Sequence, residues 1–369
     1  MFVGQLNILG IRGVPAAHGG FETFAERLAL HLVQRGWRVT VYCQEQGKGS
    51  LYESNWQGVH RVHVPVSGEG ALSTMAFDWK AACHARRQPG MCLTLGYNTA
   101  LFNLWQRLAG QNNVFNMDGL EWRRDKWSAP ARAWLWLNER AGCWLGNHLI
   151  ADHPGIRSHL STRVNERKIT MIPYGADELT EVDATPLAAL GLKAGGFSVI
   201  IARPEPENSI LELVQAFSAR QRQHRLVVLG NYSDTNDYHQ TVRAAASDEV
   251  VFTGAIYDAS VVEALRRYCR LYLHGHRVGG TNPSLVEAMG AGSAVLAHDN
   301  EFNRWVAGAG AVYFSGMSEC ERYFEHLLAD DAAITQLQAA SRERFRACFT
   351  WPKVLAEYER LLTRWLPSQ

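Results

Sequence analysis

An α/β protein with two doubly wound parallel sheets is the fold this sequence predicts, and three observations predict it. Short apolar runs alternate with helix-length stretches, the runs fall into two series, and a polar segment without strand character separates them. Length agrees with the division. At 369 residues the chain exceeds what one core usually supports, so two domains of about 150 to 200 residues are expected.

The first series runs through Leu6 to Leu9, Val39 to Tyr42, Val62 to Val64, Met91 to Leu95, Val114 to Met117 and Leu149 to Ala151. The second comprises Phe197 to Ile201, Leu226 to Leu229, Val250 to Phe252, Leu271 to Leu273, Ala294 to Ala297 and Val312 to Phe314. The divider falls near Pro173, Tyr174 and Gly175, followed by the Pro- and Gly-bearing stretch from Asp177 to Gly196. The expected domains are therefore 1–176 and 177–349. Beyond them, Val354, Leu355, Tyr358, Leu361, Leu362 and Trp365 recur at helical spacing behind Thr350 and Pro352, one amphipathic helix within 350–369.

Composition excludes several classes. An apolar content of 47% excludes a disordered or fibrous chain. With 37 basic against 36 acidic side chains, no net charge drives nucleic-acid binding. The seven cysteines form no C-x-x-C pair and stand at no zinc-ligand spacing, so they read as reduced packing residues of a cytoplasmic protein. The N-terminus has no secretory pattern, and nowhere do eighteen apolar residues run uninterrupted.

In doubly wound sheets, ligands gather beyond the carboxyl ends of strands, where helix N-termini offer N–H groups to anions. After the first strand comes GIRGVPAAHGGFE, Gly10 to Glu22, feeding a helix. It is neither G-x-G-x-x-G nor a P-loop. Adjacent Gly19 and Gly20 let a backbone pass close to a phosphate or sugar, or else simply make a tight turn. The stretch HGHRVGGTNPSLVEAM, His274 to Met289, follows a second-series strand. Asn282 suits an N-cap, Pro283 suits the first helical position, and Glu287 suits hydroxyls better than phosphates. Arg203, in IARPEPEN (201–208), stands just past the first strand of the second series, as a phosphate clamp or as a partner of Glu205 or Glu207.

At these residues the chain resembles the retaining glycosyltransferases of family 4, which have the GT-B fold of two Rossmann-like domains facing a central cleft. The segments that carry the resemblance are 8–23, NMDGLEW at 116–122, 203–208 and Gly279 to Ser284, and together they look like the rhamnosyltransferase-type subgroup. The resemblance implies a nucleotide-sugar donor whose diphosphate is held by Gly19, Gly20 and Arg203, whose ribose meets Glu287, and whose base lies near Gly254 and Ile256. Two departures stand out. Gly279 occupies a position where the family pattern has Glu, and Asn208 one where it has Lys. His276, Arg277 and Thr281, beside Gly280 and Asn282, are candidates to compensate, and Asp118 or His153 is a candidate to meet the transferred sugar. A structural role for His153 stays open. Arg12, His18, Glu22 and Glu121 fall on the acceptor side. The C-terminal helix is expected to pack back on the first domain.

The implied reaction moves a sugar, L-rhamnose from dTDP-L-rhamnose as the resemblance favours, to a glycan acceptor, with retention and through Arg203, Asp118 and Glu287. No cofactor is implied. No Asp-x-Asp pair exists to bridge a metal to the diphosphate, so metal independence is expected. Two other readings, an epimerase or hydrolase on the same fold and a noncatalytic nucleotide-sugar-binding scaffold, remain open at this stage. Trp122, Trp127, Trp134, Trp136 and Trp144, interleaved with Arg123, Arg124, Lys126, Arg132 and Arg140, suit either a membrane headgroup region or a helix-packed core. The first alternative would put a polyprenyl-diphosphate-linked acceptor at the inner face of a membrane.

Overall fold

The structure, a computed structural model, describes residues 3–17 and 19–367. His18 lies outside the described residues, as do Ser368 and Gln369 of the C-terminal segment. The chain divides into two compact units: Met1–Pro173 with Trp351–Gln369, and Tyr174–Thr350.

Unit 1 is built on an eight-stranded sheet. Its strands are β1 (Gln5–Leu9), β2 (Arg38–Gln46), β3 (Tyr52–Trp56), β4 (Val59–Val66), β5 (Met91–Leu95), β6 (Asn113–Asn116), β7 (His148–Ala151) and β8 (Ile169–Met171), in the spatial order β3-β4-β2-β1-β5-β6-β7-β8. Helices α1 (Gly20–Gln34), α2 (Ala71–Ala85), α3 (Leu104–Leu108), α4 (Ala129–Leu145) and α5 (Pro154–Ser161) fill the connections. The central strands are buried along their length save Gln5 at the start of β1, as sheets covered on both faces require.

One strand departs from the all-parallel expectation. β3 runs antiparallel to β4, with Tyr52 opposite His63 and Trp56 opposite Val59. The two-residue connection Gln57-Gly58 has positive φ at both positions, the geometry of a tight hairpin. A further strand beyond the expected series, β8, closes the opposite edge against β7.

Unit 2 contains β9 (Phe197–Ile201), β10 (Arg225–Leu229), β11 (Val250–Gly254), β12 (Leu271–His274), β13 (Val295–His298) and β14 (Ala311–Phe314), in the order β11-β10-β9-β12-β13-β14. Its helices are α6 (Thr185–Ala189), α7 (Ile210–Ser218), α8 (Asp237–Ala244), α9 (Ala259–Tyr268), α10 (Pro283–Gly290), α11 (Glu301–Ala307), α12 (Met317–Ala329) and α13 (Asp331–Cys348). The sheet is parallel throughout. One face packs Leu213, Phe217 and Phe324, and the other packs Phe197, Leu265 and Tyr272. The polar stretch 177–196 holds the short helix α6.

The last helix, α14 (Trp351–Arg364), returns to unit 1. Its apolar stripe lies on α1, where Phe24 meets Tyr358 with ring centroids 4.6 Å apart. The Tyr358 hydroxyl accepts from Asn116 Nδ2 at 2.8 Å, and His31 pairs with Glu359 at 2.9 Å. Burial of the stripe supplies the stability of this helix, because isolated helices of such length are marginal in water.

Candidate functional site

Each sheet has one topological switch point, the crevice where strand order reverses and where ligands of doubly wound folds bind. In unit 2 it lies between β9 and β12, and in unit 1 between β1 and β5.

At the switch of unit 2, Arg203 stands two residues past β9, exposed. Neither Glu205 nor Glu207 pairs with it, and among the described residues its guanidinium has no partner. Its carbonyl oxygen instead accepts from Asn208 Nδ2 at 2.8 Å and from Glu205 N at 2.7 Å. Asn208 is thus buried inside the loop it braces, its amide nitrogen engaged by the Arg203 carbonyl. The following loop is stitched alongside, with Arg277 N donating to Glu207 O at 2.9 Å. Gly275 packs so closely on the Asn208 carbonyl that no side chain fits there.

α10 begins as its sequence signals predict. Asn282 accepts from Ser284 N at 3.2 Å and Ser284 Oγ at 2.9 Å, and Pro283 opens the helix. Gly279 has φ +146 and open space around it, so the backbone there is bare, and Gly280 follows it half-buried. Thr281 is buried. Glu287, half-buried, receives Arg266 of α9 in a direct ion pair that fixes the carboxylate before any ligand arrives. Arg277 is engaged otherwise than expected: Nε donates to Ser209 Oγ at 2.8 Å and its other arm pairs with Glu212. His276 stacks on His274 at 4.2 Å, and its carbonyl accepts from Asn300 and Asn303. Burial, with His276 and His298 nearby, holds His274 neutral well below the usual histidine range. Gly254 ends β11 at φ +74 beside open space, and Ile256 packs on the core just beyond it.

In unit 1 the glycine loop is tied to its own helix. Arg12 N donates to Glu22 Oε1 at 3.2 Å, and Ala16 N to Glu26 Oε2 at 2.6 Å. Gly19 is the N-cap of α1 at φ +107, and Gly20 is its first residue. Two of the N–H groups that an anion would need are therefore already satisfied by carboxylates.

Asp118 stands past β6 with φ +52, a left-handed conformation costly for a non-glycine residue. Burial, then the charge of Glu121, pushes its carboxyl up to about 6. Glu121 is enclosed by Arg124 at 2.6 Å, Trp127 Nε1 at 3.3 Å and Lys126 at 3.8 Å, so it shapes the loop rather than facing solvent. His153 is buried and caps α5, accepting from Gly155 N through Nδ1 at 2.9 Å, the structural alternative kept open for it.

Beside the glycine loop lies a cavity of about 160 Å³, lined from β1, β2, α2 and the turn after β5. It brings the expected Arg12 and Glu22 together with Gln44, Asp78, Asn98 and Thr99, which sequence reading missed. No local motif could have revealed these, because they come from three separate parts of the chain: β2, α2 and the turn after β5. Arg266 was missed for the same reason.

The Trp-rich segment divides. Trp122 Nε1 donates to Glu139 at 2.5 Å and Trp134 Nε1 to Asn98 O at 2.9 Å, roles inside the fold. Trp136 and Trp144 are 42% and 65% exposed, and Arg140 lies over the Trp136 ring at 3.4 Å. Among the described residues no three His, Cys, Asp or Glu side chains gather as a metal site, and no helix is long and apolar enough to cross a membrane.

Comparison with known proteins also gives two parts. Residues 208–360 match the family described as Glycosyl transferase-like, and residues 3–177 match one described as a domain of unknown function (DUF1972). No curated protein matches the sequence. Among solved structures, a sucrose-phosphate synthase from Thermosynechococcus elongatus is similar with a TM-score of 0.82 at 17% identity, over 98% of both chains. HepE of Anabaena, in complex with UDP and glucose, is similar at 0.76 and 13%, over 98% of this chain and 99% of that one. The E. coli structure named trehalose-6-phosphate, bound with UDP-2-fluoro glucose, is similar at 0.71 and 12%, over 97% and 99%. With its two parallel-sheet units and a glycosyl transferase-like second half, this chain has the GT-B fold of glycosyltransferases.

Proposed function

We propose that the protein is a glycosyltransferase that takes a sugar from a nucleoside-diphosphate donor bound at the switch point of unit 2. One observation carries the reading. An exposed Arg203 without a side-chain partner among the described residues stands in the loop stitched to 274–282, ahead of a capped helix N-terminus and a Glu287 anchored by Arg266. Cation and helix dipole suit a diphosphate, and a fixed carboxylate suits ribose hydroxyls. The UDP and UDP-sugar complexes of the similar structures support it.

In the reaction, the bond from the anomeric carbon to the diphosphate oxygen breaks while one forms to an acceptor hydroxyl oxygen on the same face. The acceptor proton passes to the departing diphosphate, which leaves as the nucleoside diphosphate, and the anomeric configuration is retained. Charge develops on that leaving group, where Arg203 stabilises it without a metal. The donor is dTDP-L-rhamnose, on the resemblance of the motifs.

The acceptor is a lipid-linked glycan of surface-polysaccharide synthesis, met at a cytoplasmic membrane face. On unit 1, Trp79 meets Phe102 and Trp105 at 5.3 and 5.8 Å, Arg86 lies over Trp105, and the half-buried Arg140 stands between the exposed Trp136 and Trp144 along α4. Aromatic rings among guanidinium groups suit a headgroup layer.

A thermal-shift series with dTDP, UDP, GDP, ADP and NAD tests the donor assignment. One nucleoside diphosphate is expected to raise the melting temperature, and Glu287→Ala and Arg203→Ala are expected to abolish that rise. A response to NAD alone would overturn the reading.

A further inference from the structure

The cavity at the switch point of unit 1 has no part in donor binding as described above, yet it is built for a ligand. We infer that it binds one uncharged sugar ring of the acceptor and rejects a phosphorylated sugar. The inference rests on the transferase reading only for the ring's part in the reaction. Its recognition chemistry stands on the cavity itself.

Three features carry it. Gln44 Oε1 is buried in the wall without a hydrogen-bond partner among the described residues, while Nε2 of the same amide donates to Ser73 Oγ at 3.2 Å. A buried acceptor left open is costly, and a hydroxyl donor from a ligand would satisfy it. Asp78, reaching in from α2, accepts at Oδ2 from Thr99 Oγ1 at 2.8 Å, its one hydrogen bond among the described residues. Carboxylate oxygens accept from several donors, so Asp78 has capacity for the neighbouring hydroxyls of a sugar. Phe77 and Phe102 supply apolar wall against which the C–H face of a ring can lie.

Charge then decides between sugar classes. Among the described residues, Asp78 and Glu22 face the cavity against the single guanidinium of Arg12, and no lysine lines it. A phosphate would meet net repulsion in a partly dry site, where Coulomb terms are least screened. The volume, about 160 Å³, is below the roughly 300 Å³ at which drug-sized pockets begin. It suits one ring and leaves the rest of a glycan outside.

Saturation-transfer NMR on the full chain, without nucleotide, tests this with methyl α-L-rhamnoside, methyl α-D-glucoside and methyl β-D-galactoside against glucose 6-phosphate. At least one methyl glycoside is expected to receive saturation and glucose 6-phosphate none. Asp78→Asn should weaken the glycoside about tenfold, and Thr74→Trp, which fills the cavity from α2, should abolish it. Asn98→Ala, at an exposed turn, carries the test if the buried substitutions lower the melting temperature markedly, and it too should weaken the signal. Preference for glucose 6-phosphate, no signal from any glycoside, or a signal unchanged in the variants would overturn the assignment. The nucleotide response of the same samples separates the two proposals. Nucleotide binding without glycoside binding defeats this one alone, and glycoside binding without nucleotide binding defeats the transferase reading alone.

Discussion

The two switch points occupy equivalent places in similar sheets and have opposite electrostatics. Between β9 and β12, Arg203 is left without a side-chain partner among the described residues and the helix N-terminus of α10 is capped by a neutral side chain, so an anion finds a cation and a dipole. Between β1 and β5, Glu22 and Glu26 take N–H groups of the loop and Asp78 faces the cavity, so hydroxyl donors find carboxylates. Topology fixes where a ligand sits, and the side chains at the crevice fix its sign.

The sharpest test of this contrast removes the cation. Arg203→Ala is expected to lose on the order of 2 to 4 kcal/mol of transition-state stabilisation, read as kcat/KM. Arg277→Ala, whose guanidinium is already held by Glu212 and Ser209, should lose far less. Equal losses would dissolve the distinction between a free and a tied arginine.

Next in size is the carboxylate of unit 2. Glu287→Gln is expected to weaken nucleoside-diphosphate binding about tenfold by titration calorimetry, because the neutral amide loses the charge of the pair with Arg266 and keeps one acceptor oxygen for hydroxyls instead of two. Unchanged affinity would remove Glu287 from the ribose.

The units should also answer pH in opposite senses. In unit 1, Asp78 and Asp118 are pushed from 3.8 up to about 6, chiefly by burial. The folded state there holds protons that the unfolded chain has released, so their contribution is full at low pH and is lost as pH rises through 6. In unit 2, His274 is held well below 6.5 by burial. The unfolded chain takes up a proton that the folded state refuses, so that contribution is full above 6.5 and fades as pH falls. His148 of unit 1, lowered to about 4 by burial, works against its own carboxylates, so the comparison is made between the native chain and Asp78→Asn with Asp118→Asn. Of the 12 tryptophans all but Trp305 belong to unit 1, and their fluorescence therefore reads its unfolding separately. The double variant should lose the decline between pH 4 and 6, and an unaltered profile would refute the assignment.

The smallest effect concerns the surface. Trp136→Ser with Trp144→Ser should shift stability by about 0.5 kcal/mol or less each, while reducing co-sedimentation with anionic vesicles at low salt. Equal sedimentation of native and variant chains would leave the aromatic surface without a membrane role.

Much of the fold was legible because buried parallel strands are predominantly apolar, and Leu6 to Leu9 or Phe197 to Ile201 stand out although each holds one buried polar residue, Asn7 and Ser198. β3 did not, since Tyr-Glu-Ser-Asn-Trp lies at a sheet edge with water on its outer side and no apolar period to keep. β8 is three residues long, too short for a pattern. At the sites the same rule holds. The start of α10 was readable from Asn282 and Pro283 because capping is local. The partners that define the chemistry, Arg266 for Glu287 and Thr99 for Asp78, stand about twenty residues away and meet only after the sheet has formed.

The return of α14 to unit 1 bears on how the chain is made. Unit 2 is an insertion whose ends touch, with Ala176 bridged to Thr350 and Ala176 N donating to Phe349 O at 2.9 Å. Synthesis proceeds from the N-terminus, so unit 1 emerges first yet lacks the helix that covers Phe24 and takes the amide of Asn116. The inserted unit is therefore the first to have all its residues. The older half waits on the ribosome, its α1 face uncovered, until the last helix arrives.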